Sequence, residues 1–281
     1  MSNFWARTIT GLSMVLLLIA AMAFSYWLLS ALFLLVTIFG LWEFYSIFAT
    51  ETIRPQRIFG TIAGALLYIS IVVVFRISLP VATISRLVIP ILIAVPILFL
   101  SFVFEIYRKQ SQPLINVALT ITGILYIAVP LALLNLLNGQ DAIRFWKLPA
   151  ILTGFFILAW FYDTSAYLYG KQFGKHKFFE RISPKKTWEG TIAGGMVAIF
   201  TSVGLHYLAP GISLADWLAL AVLIILFGTY GDLAESLFKR SMNIKDSGSI
   251  LPGHGGILDR FDTIFISVPF VFLYLALRTL I

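Results

Sequence analysis

Cysteine is absent from the 281 residues, and charge is scarce: only 12% are Asp, Glu, Lys or Arg. Without cysteine there are no disulfides, no thiolate metal ligands and no cysteine nucleophile. A soluble domain carries about 25% charged residues to cover its surface. The shortage excludes an ordinary cytosolic enzyme. A disordered chain is excluded too, because 60% of the residues are hydrophobic. The hydrophobic runs are continuous rather than alternating, so transmembrane strands are not expected. No internal repeat, low-complexity tract or flexible linker is found, and no appended soluble domain is expected. The mean hydropathy of +0.96 points to an integral membrane protein.

A bilayer core about 30 Å thick needs roughly 20 apolar residues per helix. Nine segments meet that length: 8–24, 26–48, 58–76, 81–104, 114–137, 148–169, 190–208, 214–236 and 262–281. Backbone groups in lipid must be satisfied within the segment, which predicts helices. The reading is an all-α polytopic membrane protein of about nine transmembrane helices. Arg7 and Ala21-Met22-Ala23 have the outline of a signal peptide. The second hydrophobic segment follows at once, however, which favours a retained hairpin. With the N-terminus inside, five Lys and Arg fall outside (Arg76, Arg86, Arg144, Lys147 and Arg278) and the other fifteen inside. The positive-inside rule then predicts a cytoplasmic N-terminus and an outer C-terminus. Pro80, Pro90 and Pro96 blur the boundaries of the fourth span.

Two predicted inner loops, 170–189 and 237–261, are long and polar, rich in Gly, Lys and Asp. Long polar loops in a compact chain tend to be functional. The expected division is therefore a scaffold of helices over 1–147 and a catalytic region over 148–281. Asp163 stands near the inner end of a hydrophobic segment, where a carboxylate is costly and should face a polar cavity or a partner. Gly170-Lys171-Gln172-Phe173-Gly174-Lys175 lacks the spacing and preceding strand of a P-loop. Ser183-Pro184-Lys185-Lys186-Thr187-Trp188-Glu189-Gly190 has the composition of a helix start. It also offers Lys185 or Lys186 beside a helix N-terminus for phosphate capture.

The densest chemistry runs from Gly231 to Asp262. Asp232, Glu235, Ser236 and Lys239 are spaced i, i+3, i+4 and i+7, so a helix puts them on one face. Asp259 and Asp262 are again three apart if the last helix starts early. Between them lie glycines whose backbone N–H groups can approach an anion closely. Carboxylates without cysteine suit a hard cation such as Mg²⁺. Lys239, Arg240, Lys245 and Arg260 suit phosphates. Oxygen ligands with basic clamps are what phosphoryl or nucleotidyl transfer needs. The alternative is a solvated loop whose charges pair with each other or with lipid headgroups, but carboxylates would not cluster at an anionic leaflet for that purpose alone. His254 is as well explained by packing in the turn, and His176 and His206 read as incidental.

The run Ser236-x-x-Lys239-Arg240-x4-Lys245-Asp246-x-Gly248-x2-Leu251-Pro252-Gly253-His254-Gly255-Gly256-x-x-Asp259-Arg260-x-Asp262 resembles the signature of phosphatidate cytidylyltransferases (CDP-diacylglycerol synthases). Asp163 and Ser183-Pro184-x-Lys186-Thr187-x-Glu189-Gly190 resemble the same family. The resemblance implies CMP transfer from CTP to phosphatidic acid at the cytosolic face; shortness and the lack of a transit peptide suggest a bacterial plasma (inner) membrane. It implies Mg²⁺, alone or with a second cation, and a homodimer among membrane lipids, with no nucleic acid partner. It makes Asp232 and Asp259 the metal ligands. Lys239, Lys245, Asp246 and Asp262 are the expected catalytic residues. Substrate binding is expected of Asp163, Ser183, Lys186, Glu189, Ser236, Arg240, Gly253, His254, Gly255, Gly256 and Arg260. Two other readings share parts of this pattern: a CTP-dependent polyprenol or lipid kinase, and an ion-coupled transporter using Asp163 and Glu235. The long signature argues against the first. Against the second, the charges gather at one face rather than at a midplane between repeats.

Overall fold

The computed structural model describes residues 3–76, 83–139, 142–143, 146–248, 250 and 255–278. Nine helices are found among them. They are α1 (Asn3–Phe24), α2 (Tyr26–Ile47), α3 (Arg57–Arg76), α4 (Thr83–Arg108), α5 (Pro113–Leu136), α6 (Ala150–Phe173), α7 (Trp188–Leu208), α8 (Leu214–Ser241) and α9 (Leu258–Arg278). Eight are long and apolar enough to cross a membrane, and the apolar part of α1, Ile9–Phe24, is shorter. The chain is thus an all-α polytopic membrane protein. Among the described residues, strands occur only as two short antiparallel ribbons, β1 (Ala142–Ile143) with β2 (Trp146–Pro149) and β3 (Lys177–Phe179) with β4 (Ser183–Thr187). Pro80 lies outside the described residues. Pro90 and Pro96 sit inside α4.

The chain forms two compact units: Met1–Leu136 with Asp246–Phe261, and Leu137–Lys245 with Asp262–Ile281. In the first, Leu29, Phe33, Leu41, Phe44, Tyr45, Ile127 and Leu131 are buried. The Tyr45 hydroxyl donates to Thr120 O at 2.8 Å. Its ring fills the space a side chain at Gly60 or Gly123 would need. Glu105 organises the ends of α4 and α5. It accepts from Asn116 Nδ2, Gln56 Nε2 and Arg108 Nη1, each at 2.7 Å. A buried carboxylate persists when its lone pairs are met in this way. A π-turn, Ile124–Ala128, interrupts α5 just before Pro130. Proline cannot donate the next backbone bond, and the wider turn is a usual accommodation.

In the second unit α6 and α7 pack most closely. A side chain on Gly190 would meet Ala166 O at 2.5 Å, and one on Gly194 would meet Ala166 Cβ at 2.8 Å. Small residues let helix backbones approach where lipid supplies no hydrophobic drive between them. At another point Gly154 faces the fully buried ring of Trp217. Gly154→Ala is expected to cost about 1–3 kcal/mol, read as a lower unfolding midpoint in detergent. Asp216 accepts from Ser213 Oγ at 2.6 Å, Tyr274 Oη at 2.7 Å and Arg278 Nε at 3.0 Å. It clips the first turn of α8 to the last turns of α9.

Several boundaries differ from the hydropathy reading, and three of them bear on the polar residues. α6 runs to Phe173 rather than 169. Asp163 is therefore about 15 Å from the helix end at 1.5 Å per residue, well inside it. α7 starts at Trp188, capped by Thr187 Oγ1, which accepts from Gly190 N at 3.3 Å. α8 continues to Ser241, because its last turns are amphipathic and a hydropathy window stops where apolarity does.

Candidate active site

Four elements of the second unit bring charge together. Asp163 comes from α6, Lys186 from β4, Asp232 and Ser236 from α8, and Asp262 and Thr263 from α9. Lys186 Nζ pairs with Asp232 Oδ2 at 2.7 Å and donates to Thr229 O at 3.4 Å. Ser236 Oγ donates to Asp232 Oδ1 at 3.2 Å. Thr263 Oγ1 donates to Asp163 Oδ2 at 3.5 Å, and Thr263 N donates to Asp262 Oδ1 at 2.7 Å. The negative charges of Asp163, Asp232 and Asp262 act on one another, and Lys186 acts on them. Asp163 is exposed although it sits in mid-helix. The local sequence explains the approach. A side chain on Gly228 would meet Thr263 Cγ2 at 2.7 Å, and one on Gly231 would strike Asp262 O. Glycine at both positions lets α8 lie against the start of the α9 stretch. A π-turn, Ile224–Gly228, ends at the first of them, and such turns reorient the residues that follow. Tyr162 Oη and Thr229 Oγ1, 2.5 Å apart, join α6 to α8 beneath the charges.

Three carboxylates against one ammonium leave net negative charge in a chain of apolar helices, which calls for a cation. The donors are hard oxygens. Among the described residues, no group of three His, Asp or Glu forms that could hold a metal alone. Mg²⁺ keeps waters and substrate oxygens and needs only one or two carboxylates. The donor set fits such an ion.

The other predicted residues have particular partners. Lys239 Nζ pairs with Glu235 Oε1 at 3.2 Å, one turn back on the shared face. Arg240 Nη1 donates to Ile244 O at 3.1 Å. Lys245, Asp246 and Arg260 are exposed, and Ser183 is half-buried in β4. Three residues from Lys186, Glu189 reads from the sequence as the group that would orient it. Instead it closes the 174–176 turn, accepting from Lys175 N at 3.1 Å and His176 N at 3.2 Å, with His176 Nδ1 at 2.6 Å. His176, read as incidental, belongs to that turn. Gly253 and His254 lie outside the described residues.

Within the first unit, the segment after Lys245 is built around two carboxylates. Asp259 Oδ2 accepts from Ser247 N, Ser247 Oγ and Gly256 N, all at 2.9 Å. Glu43, on α2, accepts from Ile257 N at 2.9 Å, Leu258 N at 3.2 Å and the Ser247 hydroxyl. The glycines were expected to open the backbone to phosphate, yet these carboxylates occupy the space beside them. Gly255 has φ +84°, and a side chain there would meet Asp259 Oδ2 at 2.6 Å. At Gly256 a side chain would strike Glu43 and Ser247. Glu43 escapes the sequence reading, which treats 1–147 as a scaffold of helices. One signal was available: it is the single charged residue of α2, and such residues are functional candidates by default.

The profile of the cytidylyltransferase family matches residues 5–278. The phosphatidate cytidylyltransferase of Staphylococcus aureus is 48% identical over 116 residues, 41% of this chain and 44% of that protein. That of Staphylococcus haemolyticus is 48% identical over the same length. The phosphatidate cytidylyltransferase of Staphylococcus saprophyticus is 38% identical over 180 residues, 63% of this chain and 65% of the relative. The matched stretch thus spans less than half of the first two relatives and under two thirds of the third.

Proposed function

Because the chain belongs to the cytidylyltransferase family, we propose that it is a phosphatidate cytidylyltransferase making CDP-diacylglycerol for phospholipid synthesis. The observation that carries this reading is the cluster of Asp163, Asp232 and Asp262 around Lys186 in a bundle of membrane-crossing length. A phosphatidate oxygen attacks the α-phosphorus of CTP, forming a new P–O bond. The α–β anhydride bond breaks, and pyrophosphate leaves with its electron pair. The nucleophile is already anionic, so no strong general base is required. Both reactants are negative, and part of the barrier is their repulsion.

Lys186 opposes that repulsion, with Asp232 holding its ammonium in place. Lys239, Arg240 and Lys245 bind the leaving pyrophosphate or the lipid phosphate. Asp163 and Asp262 orient donors and cations at the site. By the family signature, Asp232 and Asp259 are the residues that would hold Mg²⁺. When bound, Mg²⁺ neutralises phosphate oxygens of CTP. The distribution of Lys and Arg supports a cytoplasmic N-terminus and a reaction facing the cytoplasm of a bacterial plasma membrane. The family resemblance supports a homodimer.

The test uses purified protein in detergent with phosphatidic acid, Mg²⁺ and α-labelled CTP. Label is expected to enter lipid with stoichiometric pyrophosphate, and EDTA is expected to stop it. Transfer of γ-label to an alcohol, with release of CDP, makes the protein a lipid kinase and overturns the reading.

A further inference from the structure

Glu43 is separated from its partners by more than 200 positions: its bond with Ser247 spans 204 and that with Leu258 spans 215. Its side chain is 4% exposed. The amides of Ile257 and Leu258 open α9, so the carboxylate caps that helix from another element. It meets donors that have no partner within the helix, at the positive end of the dipole. The Ser247 hydroxyl lies within reach of both Glu43 and Asp259. Glycine is required around this carboxylate. A side chain on Gly248 would come within 3.0 Å of Glu43 Oε2, and one on Gly256 would overlap Glu43 itself. Two glycines of the signature are thus shaped by a residue outside it.

We propose that Glu43 is the positioning residue for Ser247 and for the 256–259 turn that opens α9. It fixes Asp259 through Ser247 and the α9 amides without touching substrate. The proposal deepens the phosphatidate cytidylyltransferase reading and rests on it for its kinetic consequence. Glu43→Gln keeps the length, but the donors are divided between Oε1 and Oε2, so replacing either oxygen by NH2 turns its hydrogens on a donor. Supporting groups behind metal or substrate ligands are worth about 10- to 100-fold when removed.

The experiment follows full-length protein in detergent by CMP-transfer kinetics and by amide hydrogen exchange over the 247–258 segment. For Glu43→Gln the expected result is kcat lower by about 10- to 100-fold with KM for CTP nearly unchanged. Amides 247 and 256–258 exchange at least about tenfold faster (each tenfold is 1.4 kcal/mol), while the unfolding midpoint stays close to wild type. A second pair keeps the test decisive if that variant fails to fold. Gly256→Ala drives a methyl into the Glu43 carboxylate and lowers kcat. Glu43→Asp in the same chain withdraws the carboxylate by one methylene and recovers part of the loss, a coupling a double-mutant cycle measures. Wild-type kcat in Glu43→Gln, unchanged exchange, or strict additivity of the pair overturns the proposal. If the wild-type protein itself transfers no CMP, the functional reading fails. The exchange arm then decides the positioning role alone: faster exchange supports it and unchanged exchange refutes it.

Discussion

Asp259→Asn is expected to lower CMP transfer on the order of 10³-fold while the protein remains folded in the membrane. The structure makes this a clean substitution. Asp259 Oδ2 receives Ser247 N, Ser247 Oγ and Gly256 N. An asparagine carbonyl oxygen can accept the same three bonds, so the turn keeps its geometry. The charge, and with it the proposed capacity to bind a hard cation, is removed. The measurement pairs initial rates at saturating CTP with the unfolding midpoint of the same preparation. Retained turnover would show that Asp259 serves only the turn. Loss of both turnover and folding would assign the residue to structure.

Replacing Lys186 by methionine should reduce turnover by about 10²- to 10³-fold, the range for deleting one preorganised electrostatic group. The side chain is of similar length, and β4 keeps its pairing with β3. The ammonium 2.7 Å from Asp232 is lost, leaving three mutually repelling carboxylates without their cation. Measured kinetics should show KM for CTP rising as well, since the same charge attracts the triphosphate before the reaction. A near-normal rate with altered thermal stability would mean that Lys186 is only the counter-ion of Asp232. Asp232→Asn distinguishes the two roles: it leaves Lys186 in place without its partner, and a purely structural pair responds alike to loss of either member.

The membrane helices were legible because the bilayer imposes a length that a hydropathy count detects directly. Each of the nine segments overlaps a helix among the described residues, and eight of those helices are long and apolar enough to cross a membrane. Even the face shared by Asp232, Glu235, Ser236 and Lys239 was readable, since helical spacing alone places them together. The structure adds the bonds within that face, Ser236 to Asp232 and Lys239 to Glu235. Asp163 was noticed because a carboxylate in an apolar helix is conspicuous. The helix runs further past it than the apolar segment does, because α6 continues into polar residues that a hydropathy boundary excludes.

Which charges meet was not legible. Lys186 lies three residues from Glu189, which made that pairing natural, yet its partner is Asp232. That choice depends on how β4 and α8 pack in the second unit, and no local spacing encodes it. Glu43 shows the same limit more sharply, since its partners are distant in sequence and close only in the fold.

The sequence by itself determined that this protein is a helical membrane protein of the cytidylyltransferase family, and it named the carboxylates and bases that carry the proposed chemistry. Continuous apolar runs and residue type are local properties, so they survive in one dimension. Only the tertiary structure decided that Lys186 answers Asp232, that Glu189 closes a turn with His176, and that Glu43 and Asp259 shape the glycine segment. Hydrogen bonds and ion pairs reach only about 3 Å. Chain packing therefore chooses each partner, and sequence proximity does not.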